Sequence, residues 1–264
     1  MEKSSNSMLV ATKINNSDDK SFFECDLHVN LWKNSFTDYS LDLGTMLYDV
    51  ECRNNMELNS LCVFFPFKCD KSSIEDLGCK LKTRENVSTL FNDSYKMESG
   101  PDKSSMNKFT KDKDKDEKDT FYVFELGDCN IKSEYNESFN GTFLTLSVPI
   151  PDGLKQTKFN LYVRFRVNIS SKEGVKFLKY DEQISNNFLQ AAFSRMELYD
   201  LRLNDIRNTD DKVFQELTSA KGYKLVEMRK VHFFFMTGAK DHVVNGNIDR
   251  MDTRMLEIEK WEDY

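Results

Sequence analysis

Apolar residues recur at every second position over much of this chain. That alternation predicts strands with one side in a core and the other in a polar setting. In DLHVNLWKNSF (26–36), Leu27, Val29 and Leu31 fall on one side and Asp26, His28 and Asn30 on the other. FNLYVRFRVNI (159–169) sets Leu161, Val163, Phe165 and Val167 against Tyr162, Arg164, Arg166 and Asn168. TFYVFEL (120–126) and GTFLTLSVPI (141–150) predict two more strands, the second closed by Pro149 and the turn Pro151-Asp152-Gly153. Because that turn leads straight into 159–169, the two strands it joins are expected as antiparallel neighbours. SLCVFFPF (60–67) is almost wholly apolar and is expected to be covered on both faces. KLVEMRKVHFFFMTG (224–238) predicts a long strand, and the opposed Phe233, Phe235 and Phe234 again imply cover on both faces.

Other stretches follow a helical period. Ser72 and Glu75 in SSIEDLGCKL fit a capping box that would start a short helix. Ile184, Phe188, Ala192 and Met196 recur every fourth residue in EQISNNFLQAAFSRM. DDKVFQELTSAKG reads as a helix capped by Asp210 or Asp211, with Val213, Phe214, Leu217 and Ala220 as its stripe and Gly222 just past its end. Between these helices, LYDLRLND alternates again, with Tyr199, Leu201 and Leu203 opposite Asp200, Arg202 and Asn204. The tail, residues 249–264, fits either a helix or an edge strand.

Two segments look unlike folded domain. Residues 1–20 are polar and expected to form a flexible tail. MESGPDKSSMNKFTKDKDKDEKD (97–119) alternates Lys with Asp around a single Phe, and is expected to be a disordered, solvated insertion. The remainder, 21–264, is expected as one domain. The predicted class is α+β and β-rich, an antiparallel sheet or sandwich with two or three helices mainly in the C-terminal third.

Composition narrows the chemistry. The chain has 264 residues, 21 of them Phe, which argues against global disorder. A formal charge of −7 disfavours non-specific binding to nucleic acid or anionic membrane. No window approaches the roughly 18 continuous apolar residues of a membrane span, and the apolar run Met8 to Ala11 is far short of a signal peptide's core. The expectation is a cytoplasmic protein with no membrane partner. Its six cysteines form no CxxC pair and are expected as reduced thiols.

Catalytic motifs are absent. The 10 glycines form neither GxGxxG nor GxxxxGK[ST], and no GxSxG elbow occurs. His28, His232 and His242 are not spaced as metal ligands, so no metal, cofactor or catalytic residue is assigned. A metal-dependent hydrolase or nuclease would need carboxylates gathered at a sheet end. Glu197, Asp200 and Asp205, with Glu227 or Lys230, are the candidates for that role.

One window departs from the acidic whole. From Lys155 to Lys179 there are seven lysines and arginines against the single acid Glu173. Arg164 and Arg166, two apart on a strand, project side by side, and their planar forks suit carboxylate or phosphate. If 198–204 lies in the same sheet, Arg202, Asp200 and Asn204 would join them, with His232 contributed by the last strand. Asp200 would then neutralise part of an arginine cluster, leaving the rest to face a partner or an anion. The first expectation for function is therefore a non-enzymatic adaptor module, a subunit of a larger complex that binds another protein chain. The second is a sensor that binds an anion, nucleotide or nucleic acid on the arginine face. The third is the metal-dependent hydrolase.

Overall fold

The computed structural model describes residues 7–14, 23–35, 37–51, 58–101, 105–112, 120–155, 157–182 and 196–238. Two sheets face each other across one apolar core. The smaller is wholly antiparallel, in the order β14 (Lys224–Leu225), β1 (Leu9–Ile14), β4 (Leu58–Phe65), β10 (Gly141–Ser147), β9 (Ile131–Asn136). The larger is mixed. It runs β15 (Glu227–Met236), β2 (Glu24–Lys33), β3 (Tyr39–Glu51), β11 (Lys158–Ile169), β8 (Thr120–Phe124), β7 (Met106–Lys111), β6 (Tyr95–Ser99), with β5 (Ile74–Asp76) beside β11. The β15–β2 and β11–β8 pairs are parallel and the others antiparallel. A separate ladder joins β12 (Lys179–Glu182) to β13 (Met196–Tyr199).

The alternation on each strand sorts its side chains between layers. Leu27, Val29 and Leu31 of β2 meet Leu41 and Leu43 of β3 and Val163, Phe165 and Val167 of β11, and all pack with Val10, Leu61, Val63, Leu144 and Leu146 of the smaller sheet. On the far side of the smaller sheet, Leu9, Cys62, Phe64 and Phe143 are covered by Val213 and Leu217. These belong to α3, a helix Asp211–Gln215 that continues as a π-helical turn Glu216–Ala220. On the far side of the larger sheet, α1 (Arg84–Phe91) packs Val87, Leu90 and Phe91 over Tyr162, Phe121, Val123 and Phe109. A third helix, α2 (Lys172–Leu178), is capped by the Ser171 side chain, which accepts from the Gly174 amide. The architecture is thus the expected β-rich α+β sandwich.

Several local expectations differ. Residues 9–14, expected within a flexible tail, form β1 between β14 and β4; Leu9, Val10 and Ala11 are fully buried. The run is short, but an interior strand needs only a few apolar residues. Residues 97–99 and 106–111 of the supposed disordered insertion are also folded into strands. Met97 and Ser99 lie in β6, and β7 pairs with both β6 and β8. The lone Phe109 explains this, since it is fully buried and stacks on Phe121 at 5.8 Å. The capping box expected at Ser72 does not form: Ser72 lies inside a 3-10 turn, Lys71–Ser73, that has no side-chain cap, and Glu75 is already in β5. The helix begins twelve residues later behind Thr83, whose hydroxyl accepts from the Asn86 amide. The strands β10 and β11 are not neighbours: the turn between them carries the chain from one sheet to the other. Of the predicted 198–204 strand, Leu198 and Tyr199 are laddered in β13 against β12 and Leu203 makes an isolated bridge to Met8, so the stretch does not join the arginine sheet. Of the helical stretch expected over 182–196, Glu182 ends β12 and Met196 opens β13, while 183–195 and the 249–264 tail lie outside the described residues.

Candidate functional site

The far face of the larger sheet carries the arginines. Ladder register places them in two rows. One runs His232, His28, Gly44, Arg164 across β15, β2, β3 and β11; the next runs Phe234, Asn30, Asp42, Arg166. The partner expected from Asp200 is supplied by Asp42. Its carboxylate accepts from Arg164 Nη2 at 3.3 Å and from Arg166 Nη2 at 3.1 Å, and also binds Arg166 Nε. Trp32 Nε1 donates to the same oxygen at 2.8 Å, and its ring lies 5.2 Å from the Arg166 guanidinium. With its side-chain oxygen turned to Arg164 and its nitrogen to the Val29 carbonyl, Asn30 satisfies both groups. Arg164 and Asp42 are both fully buried.

Gly44 makes room for this packing. A Cβ there would stand 2.2 Å from the Tyr162 hydroxyl, so a side chain at residue 44 would have to displace the phenol. The Tyr162 oxygen accepts from Arg164 Nη1 at 3.1 Å and lies 3.0 Å from His28 Nδ1. Burial, then the nearby His232 and Arg164, lower the His28 pKa to about 3. His232 stands edge-on to His28, their centroids 4.9 Å apart.

The remaining predicted site residues are elsewhere. Arg202 and Asp200 pair with each other at 2.6 Å. Asn204 is a backbone clamp: its side-chain oxygen accepts from the Val10 amide at 2.7 Å, and its Nδ2 donates to the Val10 and Val226 carbonyls. Asp205 caps the turn 206–208 and accepts from the Asn208 side chain. Glu197 receives Lys179 at 2.9 Å, Lys33 at 3.0 Å and the Tyr199 hydroxyl at 2.7 Å. Among the described residues no group of three or more His, Cys, Asp or Glu side chains could hold a metal ion. Of the six candidates, then, the fold brings together Arg164 and Arg166, while His232 shares their face but lies three strands away on β15, against His28. Sequence reasoning missed Asp42, although SLDLGTML (40–47) alternates with the same period and holds its acid on the polar side.

A second feature lies on the open flank of both sheets. The chain leaves β14 in the smaller sheet and enters β15 in the larger, with Val226 donating to Val10 and Glu227 to Phe23. Beside this crossing is an apolar groove of ≈ 500 Å³ lined by Ile206, Phe214, Tyr223, Leu225 and Val226 among others. Then β15 runs ten residues along the rim, with β2 as its strand neighbour among the described residues. Val231 and Phe233 extend the core rows of Leu27 and Val29, yet they are 47% and 36% exposed, and Phe234 on the other face is 46% exposed. Of HFFFM, Phe235 is covered, lying 4.7 Å from the Tyr199 ring. Among the described residues Phe233 and Phe234 lack the expected cover, since the smaller sheet narrows to the two-residue β14 on this side.

The other rims differ. β6 has five residues and presents Lys96 and Glu98, the latter paired with Lys108 at 2.8 Å. β9 presents Lys132 and Glu134, which pair with each other. Charges and short length are the usual protection of a strand edge against pairing. The 230–236 stretch of β15 is longer than either β6 or β9 and carries its one lysine, Lys230, at its start, with no Lys, Arg, Asp or Glu from Val231 to Met236.

Comparison with protein-family models, with curated proteins and with solved structures returns no match. No helix among the described residues is long and apolar enough to cross a membrane.

Proposed function

We propose that this chain is a non-enzymatic interaction module, a subunit of a larger assembly that engages another chain along the β14–β15 flank. The observation that carries the reading is β15 itself: a ten-residue edge strand with apolar side chains exposed on both faces. An open edge offers backbone donors and acceptors to an incoming strand, and exposed Val and Phe supply the apolar area that makes such pairing favourable. The groove at the β14–β15 crossing adds apolar surface to the same flank. The arginine face supports the same reading by default. Its two arginines share Asp42, which makes it better suited to hold the sheet together than to capture an anion.

The test compares the native size of the wild-type chain in host extracts with that of a Phe233→Ser/Phe234→Ser variant. The expected result is a complex larger than the monomer that collapses in the variant, while melting temperature and far-UV dichroism are kept. A wild-type chain that runs as a monomer in its own extract would overturn the proposal.

A further inference from the structure

We infer that the strand docking on β15 is β15 of a second copy of this chain, antiparallel, about a two-fold axis through Phe233. The inference rests on the reading of β15 as an association surface and names its occupant. Residues directly opposed in an antiparallel pair project to the same face. Two identical strands can therefore pair symmetrically only where one residue faces its own copy. The bulge between Met228 and Lys230 limits the regular part of β15 to residues 230–236. The midpoint of that stretch is Phe233, so centring there pairs its whole length.

In this register the inner face sets Phe233 against Phe233 and Val231 against Phe235. The outer face sets His232 against Phe234 and Lys230 against Met236. No charged side chain opposes a like charge, and every pair is aromatic, aliphatic or a cation beside an apolar group, the combinations that stabilise cross-strand pairs. Moving the axis to His232 shortens the regular overlap and stacks two imidazoles. Moving it to Val231 sets Lys230 against His232. Moving it to Phe234 also avoids like charges but shortens the regular overlap to residues 232–236. The Phe233-centred register is therefore the one that pairs the whole stretch, and in it the exposed Val231, Phe233 and Phe234 all meet aromatic partners. The larger sheet then continues across the axis into its copy, with no open edge at β15.

The experiment uses the purified full chain in sedimentation equilibrium, with Phe233→Glu and Phe233→Lys variants. Wild type is expected to be a dimer. Each variant alone should dissociate roughly ten-fold or more readily, because like charges then meet at the axis. An equimolar mixture of the two should recover the dimer, because opposite charges meet. In a Cys52→Ser/Cys79→Ser/Cys129→Ser background, Phe233→Cys should oxidise to a covalent dimer and His232→Cys should not, since only self-opposed residues come within disulfide reach.

Three outcomes would overturn it. If the purified chain is monomeric at every concentration while the complex in extracts still depends on Phe233 and Phe234, the occupant is a different chain and the surface reading stands. If both variants weaken the dimer but mixing fails to restore it, the axis is not at Phe233. If the dimer is indifferent to both charges, β15 is not the interface and both readings fail.

Discussion

Asp42 and Arg164 meet at 3.3 Å with neither side chain exposed to solvent, 122 residues apart in the chain. A buried pair of this kind adds little over an apolar pair, but each partner strands the other if removed. Asp42→Asn therefore leaves Arg164 charged in the interior and Arg166 without its carboxylate. The expected loss is about 3–5 kcal/mol of unfolding free energy, read from urea denaturation. An unchanged midpoint would show that the arginines are held by other means.

His28 stays neutral in the fold, its pKa lowered by burial, His232 and Arg164 to about 3 from an ordinary 6.5. The unfolded chain binds a proton in that interval and the folded chain does not. Stability is therefore complete above pH 6.5 and falls as pH drops through the window towards 3. Melting temperature should decline between pH 7 and pH 5, and His28→Gln should decline less. Equal slopes for the two proteins would sink the assignment.

Glu197 acts lower on the scale. Burial pushes its carboxyl up, but hydrogen bonds from Lys179, Tyr199 and Lys33 outweigh that and bring it to about 2, from an ordinary 4.5. The stability it lends is present above pH 4.5 and is lost as pH falls through 2. Acid titration followed by dichroism should show a shallower transition below pH 4.5 for Glu197→Gln than for wild type.

Phe109→Ala tests whether the charged stretch belongs to the fold. Fully buried and stacked on Phe121, Phe109 anchors β7 beneath α1. Its loss should cost about 3–5 kcal/mol. It should also open the amides of 106–111 to hydrogen exchange before those of β4. A cost under ~0.5 kcal/mol, the usual range for surface changes, would place this strand outside the cooperative unit.

The strands that were legible in the sequence are those whose own residues carry the alternation: β2, β4, β8, β10, β11 and β15. β1 and β7 were not, because their place in a sheet comes from neighbours rather than from their own composition. Phe109 is one aromatic in a run of Lys and Asp, and its meaning depends on Phe121 lying opposite. The same holds for the site. That Arg164 and Arg166 share a face follows from period two, but their counterion depends on strand order, and Asp42 sits on β3 rather than beside Asp200. β15 was recognised as a strand, while its exposure follows from the two-residue length of β14 across the core.

The flank that β14 and β15 close also governs how the chain can be made. β1 and β2 are made well before β14 and β15, yet among the described residues one edge of each is paired by residues 224–236. Until the C-terminal third has been synthesised, β2 must wait with Leu27, Val29 and Leu31 beside an unfilled position. Such long-range pairing is slow, and open edges invite pairing with other chains. The flank therefore needs protection from neighbours until residues 224–236 are made, and a chain truncated before residue 227 would leave β2 without β15 beside it.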